Sequence, residues 1–194
     1  LTGYYESAER WLIDRYLPRE LDVVELGGGL GFVSCYVDAL LDANCTQIAV
    51  EADDDLVDII KRIRDLNDGD FAISHRAYHP ERDVVGFRRG EIPTTGSVAT
   101  DGAEIEVSAV SLAELVSEFD LEEFSLIADV EGAESTLVAE ELAVLEEHCR
   151  VLVIEYHHPN ERRDSEIDRT LRSAGFTHVD HVGSVFVYEN VGCF

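Results

Sequence analysis

Apolar positions recur at two different periods along this chain, and the switching between them draws a series of strands and helices. Val23-Val24, Gln47 to Ala52, Phe71 to Tyr78, Ser125 to Val130 and Arg150 to Tyr156 are short, nearly continuous apolar runs. That is the pattern of strands covered on both faces, as in a parallel sheet. Between them the spacing turns helical. Glu6 to Leu17 gathers Ala8, Trp11, Leu12 and Tyr16 on one face and stops at Pro18. Phe32 to Leu41 predicts a second helix. A third opens on Asp53, Asp54 and Asp55, where negative charge complements the helix dipole, and is expected to turn Leu56, Ile59, Ile60, Ile63 and Leu66 inward. Ser111 and Glu114 form a capping box ahead of Leu112, Leu115, Val116 and Phe119. Val138, Leu142 and Leu145 mark the core face of one further helix, and Ile167, Leu171 and Ala174 that of the last, ended by Gly175.

Glu104 to Val110 is strand-like, and His178 to Val182 with Val185 to Tyr188 reads as a hairpin about Gly183-Ser184. Residues 79–104 differ. Pro80, Gly86, Gly90, Pro93, Thr94, Thr95, Gly96 and Gly102 break any long element there, so an excursion of loops and short strands is expected, a candidate substrate loop. The order predicts a single α/β domain over 1–194. Its sheet is doubly wound, Rossmann-like and mostly parallel, with an antiparallel last strand, and a helix lies within residues 1–20.

Charge narrows the setting. Among 194 residues, 41 are acidic and 15 basic, for a net charge of −26, and Lys61 is the sole lysine. The acids are dispersed rather than gathered in a tail, so they read as a solvated surface. Such a surface lacks the cationic patch that nucleic acid or an anionic membrane requires. No apolar run is long enough for a transmembrane span, and no signal peptide is visible in a chain that begins at Leu1. A dispersed acidic excess with almost no lysine is the style of a halophilic protein, in which salt screens the self-repulsion. Cys35, Cys45, Cys149 and Cys193 show no metal-ligand spacing and read as reduced, structural thiols of a cytoplasmic protein.

Chemistry concentrates at two turns. Glu25, Gly27, Gly28, Gly29, Gly31 and Phe32 lie between the first strand and its helix, and Glu51 ends the second strand. Glycines there let backbone and helix N-terminus approach a ligand closely, and an acid at the second strand tip is placed to accept hydrogen bonds from a ribose. The spacing fails the G-x-G-x-x-G dinucleotide pattern in both registers, because Phe32 or Leu30 falls where glycine is needed. A nicotinamide-dependent oxidoreductase is therefore the weaker enzyme reading. A non-catalytic cofactor-binding or interaction domain is a third, which a filled acceptor pocket would favour.

The second turn is Asp129-Val130-Glu131-Gly132-Ala133-Glu134, at the carboxyl end of a predicted strand. With the E-x-G-x-G-x-G motif, Gly96-Ser97, Val110-Ser111-Leu112 and Ile154-Glu155-Tyr156-His157, it resembles the FkbM-type family of class I S-adenosylmethionine-dependent methyltransferases over roughly residues 22–190. Gly28-Gly29 stands where family members often have alanine and asparagine. The resemblance implies the class I methyltransferase fold with a seven-stranded sheet, S-adenosyl-L-methionine as cofactor, and O-methylation of a sugar, glycan or small metabolite. It further implies that Glu25, Gly27, Gly29 and Gly31 shape the methionine pocket, that Glu51 takes the ribose hydroxyls, and that Asp129 faces the cofactor amine or the acceptor. Ala77, with His75 and Arg76, falls at the adenine end, and Asp68 or Asp70 are weaker candidates for it.

A hydroxyl acceptor must lose a proton, so a carboxylate or imidazole is needed within reach. Asp129, Glu131 and His157 are the candidates, with the base divided between Asp129 and His157. Glu134 reads as a helix cap, and His158 as a polar strand end. Asp129, Glu131 and Glu155 could hold a hard cation, but their spacing does not demand one and no metal site is expected. Arg88 and Arg89 could grip an anionic acceptor such as a uronic acid, or pair with surface acids, the favoured reading.

Overall fold

The continuous apolar runs become the centre of a parallel sheet because helices on both faces leave them no solvent side. In this computed structural model residues 7–90, 96–99, 101–157 and 161–192 are described; Glu6, Pro93, Thr94, Thr95, His158 and Cys193 lie outside them. In chain order the elements are α1 (Ser7–Tyr16), β1 (Asp22–Leu26), α2 (Phe32–Asp38), β2 (Gln47–Glu51), α3 (Asp54–Leu66), β3 (Ala72–His75), β4 (Ala77–Tyr78), β5 (Val84–Arg88) and β6 (Ser97–Val98). There follow β7 (Ile105–Val110), α4 (Leu112–Phe119), β8 (Phe124–Ala128), α5 (Glu134–Glu140), α6 (Leu142–His148), β9 (Cys149–Glu155), α7 (Glu161–Ser173), β10 (Phe176–Val182) and β11 (Val185–Asn190).

The main sheet has seven strands in the order β10-β11-β9-β8-β1-β2-β3. From β9 to β3 every pairing is parallel, while β11 runs antiparallel to β9 and to β10. The strand order reverses at β1, so the loops after β1 and β8 part and open a crevice at the carboxyl edge. Alternate residues of one strand serve opposite cores. Val23 packs with Leu12, Ile13, Val33 and Val37, on the α1 and α2 side. Val24 and Leu26 pack with Leu115, Leu137, Leu145 and Leu171, on the face covered by α4, α5, α6 and α7.

Three expectations need correction. Trp11, Ile59 and Leu66 are exposed: α1 buries Leu12 and Ile13 instead, and α3 buries Leu56, Val57 and Ile60, because only a narrow stripe of each helix meets the sheet. The run Phe71 to Tyr78 splits at Arg76, so β3 stays in the main sheet while β4 pairs with β7. The apolar stretch after Val130 forms two short helices meeting at Glu141 rather than one. The excursion is more regular than its composition implies. Its β5 and β6 join β7 and β4 in a second, four-stranded sheet, with Ala52, Ala77, Val85, Phe87 and Val107 as a small core of their own. Among the described residues no helix is long and apolar enough to cross a membrane.

Candidate functional site

The turn after β1 is wound tightly onto the end of β2. Gly27 N–H and Gly28 N–H both donate to the Val50 carbonyl, at 2.9 and 3.0 Å, and Gly31 N–H donates to Gly28 O at 2.8 Å. Gly27 sits at φ 94°, and a Cβ there would lie 2.0 Å from the Asp129 carbonyl oxygen, so only glycine lets β1 and β8 close at this point. Gly29, at φ 52°, has nothing within 4 Å of where its Cβ would be. Its N–H donates to Glu51 Oε2 at 2.8 Å, while Asp53 N–H donates to Glu51 Oε1 at 2.8 Å. Burial pushes the Glu51 carboxyl above its ordinary range, and the N–H groups of Asp53, Gly29 and Ala52 only partly offset that. With three donors on the carboxylate's four acceptor sites, one site stays open for a further donor.

These groups line an open cleft between the glycine turn, the end of β8 and the small sheet. Glu25, Gly27, Gly29, Glu51, Ala77 and Asp129 all contribute to its wall, as does Glu131. Gly31 does not. It is the left-handed residue preceding α2, and its Cα faces Ile60 of α3, which makes it a packing position rather than a pocket one. Asp68 and Asp70 precede β3 and so belong to the opposite edge of the sheet; Asp70 N–H is bonded to Asp38 instead. Arg76 lines the cleft, with its guanidinium held by Glu118 at 2.8 Å and by Ser74.

Beyond the glycines, β8 and β9 end side by side, and three acids meet one imidazole there. His157 Nδ1 lies 2.8 Å from Glu134 Oε1, and Nε2 lies 3.3 Å from Asp129 Oδ1 and 3.6 Å from Glu131 Oε2. Glu131 takes a left-handed φ of 41°, a strained conformation for a non-glycine residue, which aims the D-V-E-G turn back over the strand end. Burial works against the charged imidazole. The hydrogen bond to Glu134 and the charges of Asp129, Glu131 and Glu134 outweigh it, and the pKa stands at about 9. Burial likewise disfavours the Glu134 carboxylate, but bonds from His157 and from the Gly132 N–H hold it below its ordinary value. That pKa favours the charged imidazole at neutral pH, with the carboxylates of Asp129 and Glu131 beside it in the cleft wall. Donor atoms of Asp129, Glu155 and His157 also lie within 4.8 Å of one another.

Some functional groups were not signalled by the sequence. Glu134 reads as a helix cap, yet its side chain is 1% exposed and fixes His157. Glu9 of α1 is buried in the cleft wall, and Phe87, Gly96, Ser97 and Val98 bring the small sheet to it. Only the D-V-E-G-A-E and Gly96-Ser97 patterns hinted at any of these, since the remainder depend on long-range packing.

Solved structures share this fold at low identity. Ribosomal protein L11 methylase from Lactobacillus delbrueckii subsp. bulgaricus is 14% identical, with a TM-score of 0.52 over 92% of this chain and 74% of that one. A SAM-dependent methyltransferase from Aquifex aeolicus is 14% identical, with a TM-score of 0.50 over 97% and 93%. Aeropyrum pernix fibrillarin, in complex with natively bound S-adenosyl-L-methionine, is 14% identical, with a TM-score of 0.51 over 89% and 68%. The architecture is thus the class I methyltransferase fold. No curated protein matches the chain.

Residues 29–177 match the methyltransferase FkbM domain, and the chain belongs to that family. It is an S-adenosyl-L-methionine-dependent methyltransferase. The residues present fit that donor, whose sulfonium and ammonium outnumber its one carboxylate. Among the described residues, Glu9, Glu25, Glu51, Asp129 and Glu131 line the cleft against one cation, Arg76. A dinucleotide pyrophosphate finds the reverse. The N–H groups of Gly27, Gly28, Gly29 and Gly31 are spent inside the turn, and the acids repel the phosphates.

Proposed function

We propose that this methyltransferase acts on a hydroxyl group of a sugar, glycan or small metabolite, with Asp129 accepting the hydroxyl proton. The observation that carries the reading is the Asp129 carboxylate, which lines the cleft and has a charged imidazole 3.3 Å behind it. The cofactor supplies an electrophilic methyl on a sulfonium, and what the chain adds is alignment, exclusion of water and a place for the proton. Glu51 is the ribose acceptor in this reading; Glu25, fixed by Ser34 Oγ at 2.5 Å, and the glycine turn form the methionine end. Asp129 takes the proton as the acceptor oxygen gains the methyl, while His157, pinned by buried Glu134, orients that carboxylate rather than titrating itself. An anionic acceptor is disfavoured, because Arg76 is paired with Glu118 and Arg89 is turned to α3.

The same acidity supports a halophilic setting and an acceptor other than nucleic acid. The test is a panel of sugars and polyols incubated with methyl-labelled donor, and product analysis for an O-linked methyl. Asp129→Asn is expected to keep donor affinity and lose about 10²–10⁴ in turnover. Methyl appearing on nitrogen or carbon would overturn the hydroxyl assignment, and undiminished turnover of the variant would remove Asp129 as base.

A further inference from the structure

Arg89 directly follows β5, two residues after Phe87 in the cleft wall, and its guanidinium crosses to the start of α3. Nε donates to Asp53 Oδ2 at 2.9 Å, and the terminal nitrogen Nη2 meets Asp54 and lies 3.6 Å from Asp55. The Asp53 side chain is 6% exposed. Its other oxygen accepts the Asp55 N–H at 2.9 Å, capping α3, while its own N–H is the one bonded to Glu51 Oε1. Between them Ala52 packs into the small sheet's core with Phe87. The small sheet therefore grips the backbone around Glu51 twice, through Ala52 and through Arg89.

We propose that Arg89 is a cofactor-positioning residue, which straps the small sheet to α3 and supplies the counter-charge that offsets part of the repulsion between buried Asp53 and Glu51. The inference rests on Glu51 being the ribose acceptor. Without the guanidinium, two buried carboxylates two residues apart would share one low-dielectric corner, and protonation of Glu51 would relieve them. The other charged groups facing this corner do not substitute. Asp54 and Asp55 add negative charge, Arg76 is held by Glu118, and His75 turns Nε2 to the Ala52 carbonyl at 3.2 Å. The phenyl ring of Phe87 against Gly96, with Ser97 and Val98 paired across β5 and β6, makes the wall that the strap holds in place.

Titration of S-adenosyl-L-methionine into the folded chain at several pH values reads this directly. Arg89→Ala is expected to weaken binding about tenfold near pH 7 and to move the pH below which affinity falls upward by about one unit. Arg89→Lys, which keeps the charge and loses the fork, should fall between. Asp53→Asn added to Arg89→Ala removes the uncompensated charge while still capping α3, and should return most of the affinity. Unchanged binding in Arg89→Ala overturns the proposal. So does a loss that Asp53→Asn fails to restore or that comes without a pH shift, since a merely structural strap behaves that way. Full affinity in Glu51→Ala overturns it as well, together with the ribose assignment, whereas the hydroxyl reading stands or falls on product analysis.

Discussion

Two glycines of one turn face different constraints. A methyl at Gly27 would strike the Asp129 carbonyl from a left-handed backbone, whereas at Gly29 it would enter open space. Gly27→Ala should cost roughly 3 kcal/mol or more in chemical denaturation. Gly29→Ala should cost about 1–2 kcal/mol and show its larger effect as weakened cofactor binding. The imidazolium gives a second residue-level expectation. His157 is raised from its ordinary 6.5 to about 9. Its stabilising contribution is complete below about pH 6.5 and is lost as pH rises through about 9. Thermal melts between pH 6 and 10 should fall more steeply for the wild type than for His157→Gln, and identical slopes would contradict the ion-pair geometry. Glu25, Gly27, Glu51 and Asp129 were legible as neighbours because motif and strand order place them at one edge. Glu134 was not, since nothing in its sequence position separates a helix cap from a buried partner of His157.

Among the elements, α4 follows its sequence most closely. Ser111 Oγ accepts the Glu114 N–H at 3.1 Å, the Glu114 carboxylate accepts the Ser111 N–H at 2.8 Å, and buried Glu141 takes the Leu112 N–H at 2.6 Å. Ser111→Ala should cost about 1 kcal/mol, read as a lower denaturation midpoint at unchanged slope. The hairpin of β10 and β11 was legible too, from alternating residues about Gly183-Ser184. What the sequence hid was the small sheet. Its β6 is two residues long, β4 is cut from a run that reads as one strand, and their partners lie about thirty residues away in β7 and about ten in β5. Local pattern carries no information about such pairings. The exposed Ile59 and Leu66 make the complementary point: apolar spacing names a helix, while the sheet decides how much of it is buried.

For the whole molecule, self-repulsion and the cleft's selectivity come from the same acids. At a net charge of −26 the folded chain should need screening. We expect its melting temperature to rise steadily between about 0.1 M and 2 M potassium chloride, as the Debye length falls from about 10 Å to below 3 Å. A melting temperature indifferent to salt would refute the halophilic reading. The sheet order that opens the crevice between β1 and β8, and the carboxylates that line it, together favour a cationic nucleoside cofactor over a dinucleotide. The most direct test is calorimetric titration of S-adenosyl-L-methionine and, separately, NAD in molar potassium chloride, with Glu51→Ala alongside. Binding of the methyl donor, much weakened in the variant and absent for NAD, is the expected result. Binding of NAD, or no binding of the methyl donor by folded protein, would contradict the assignment of the cleft.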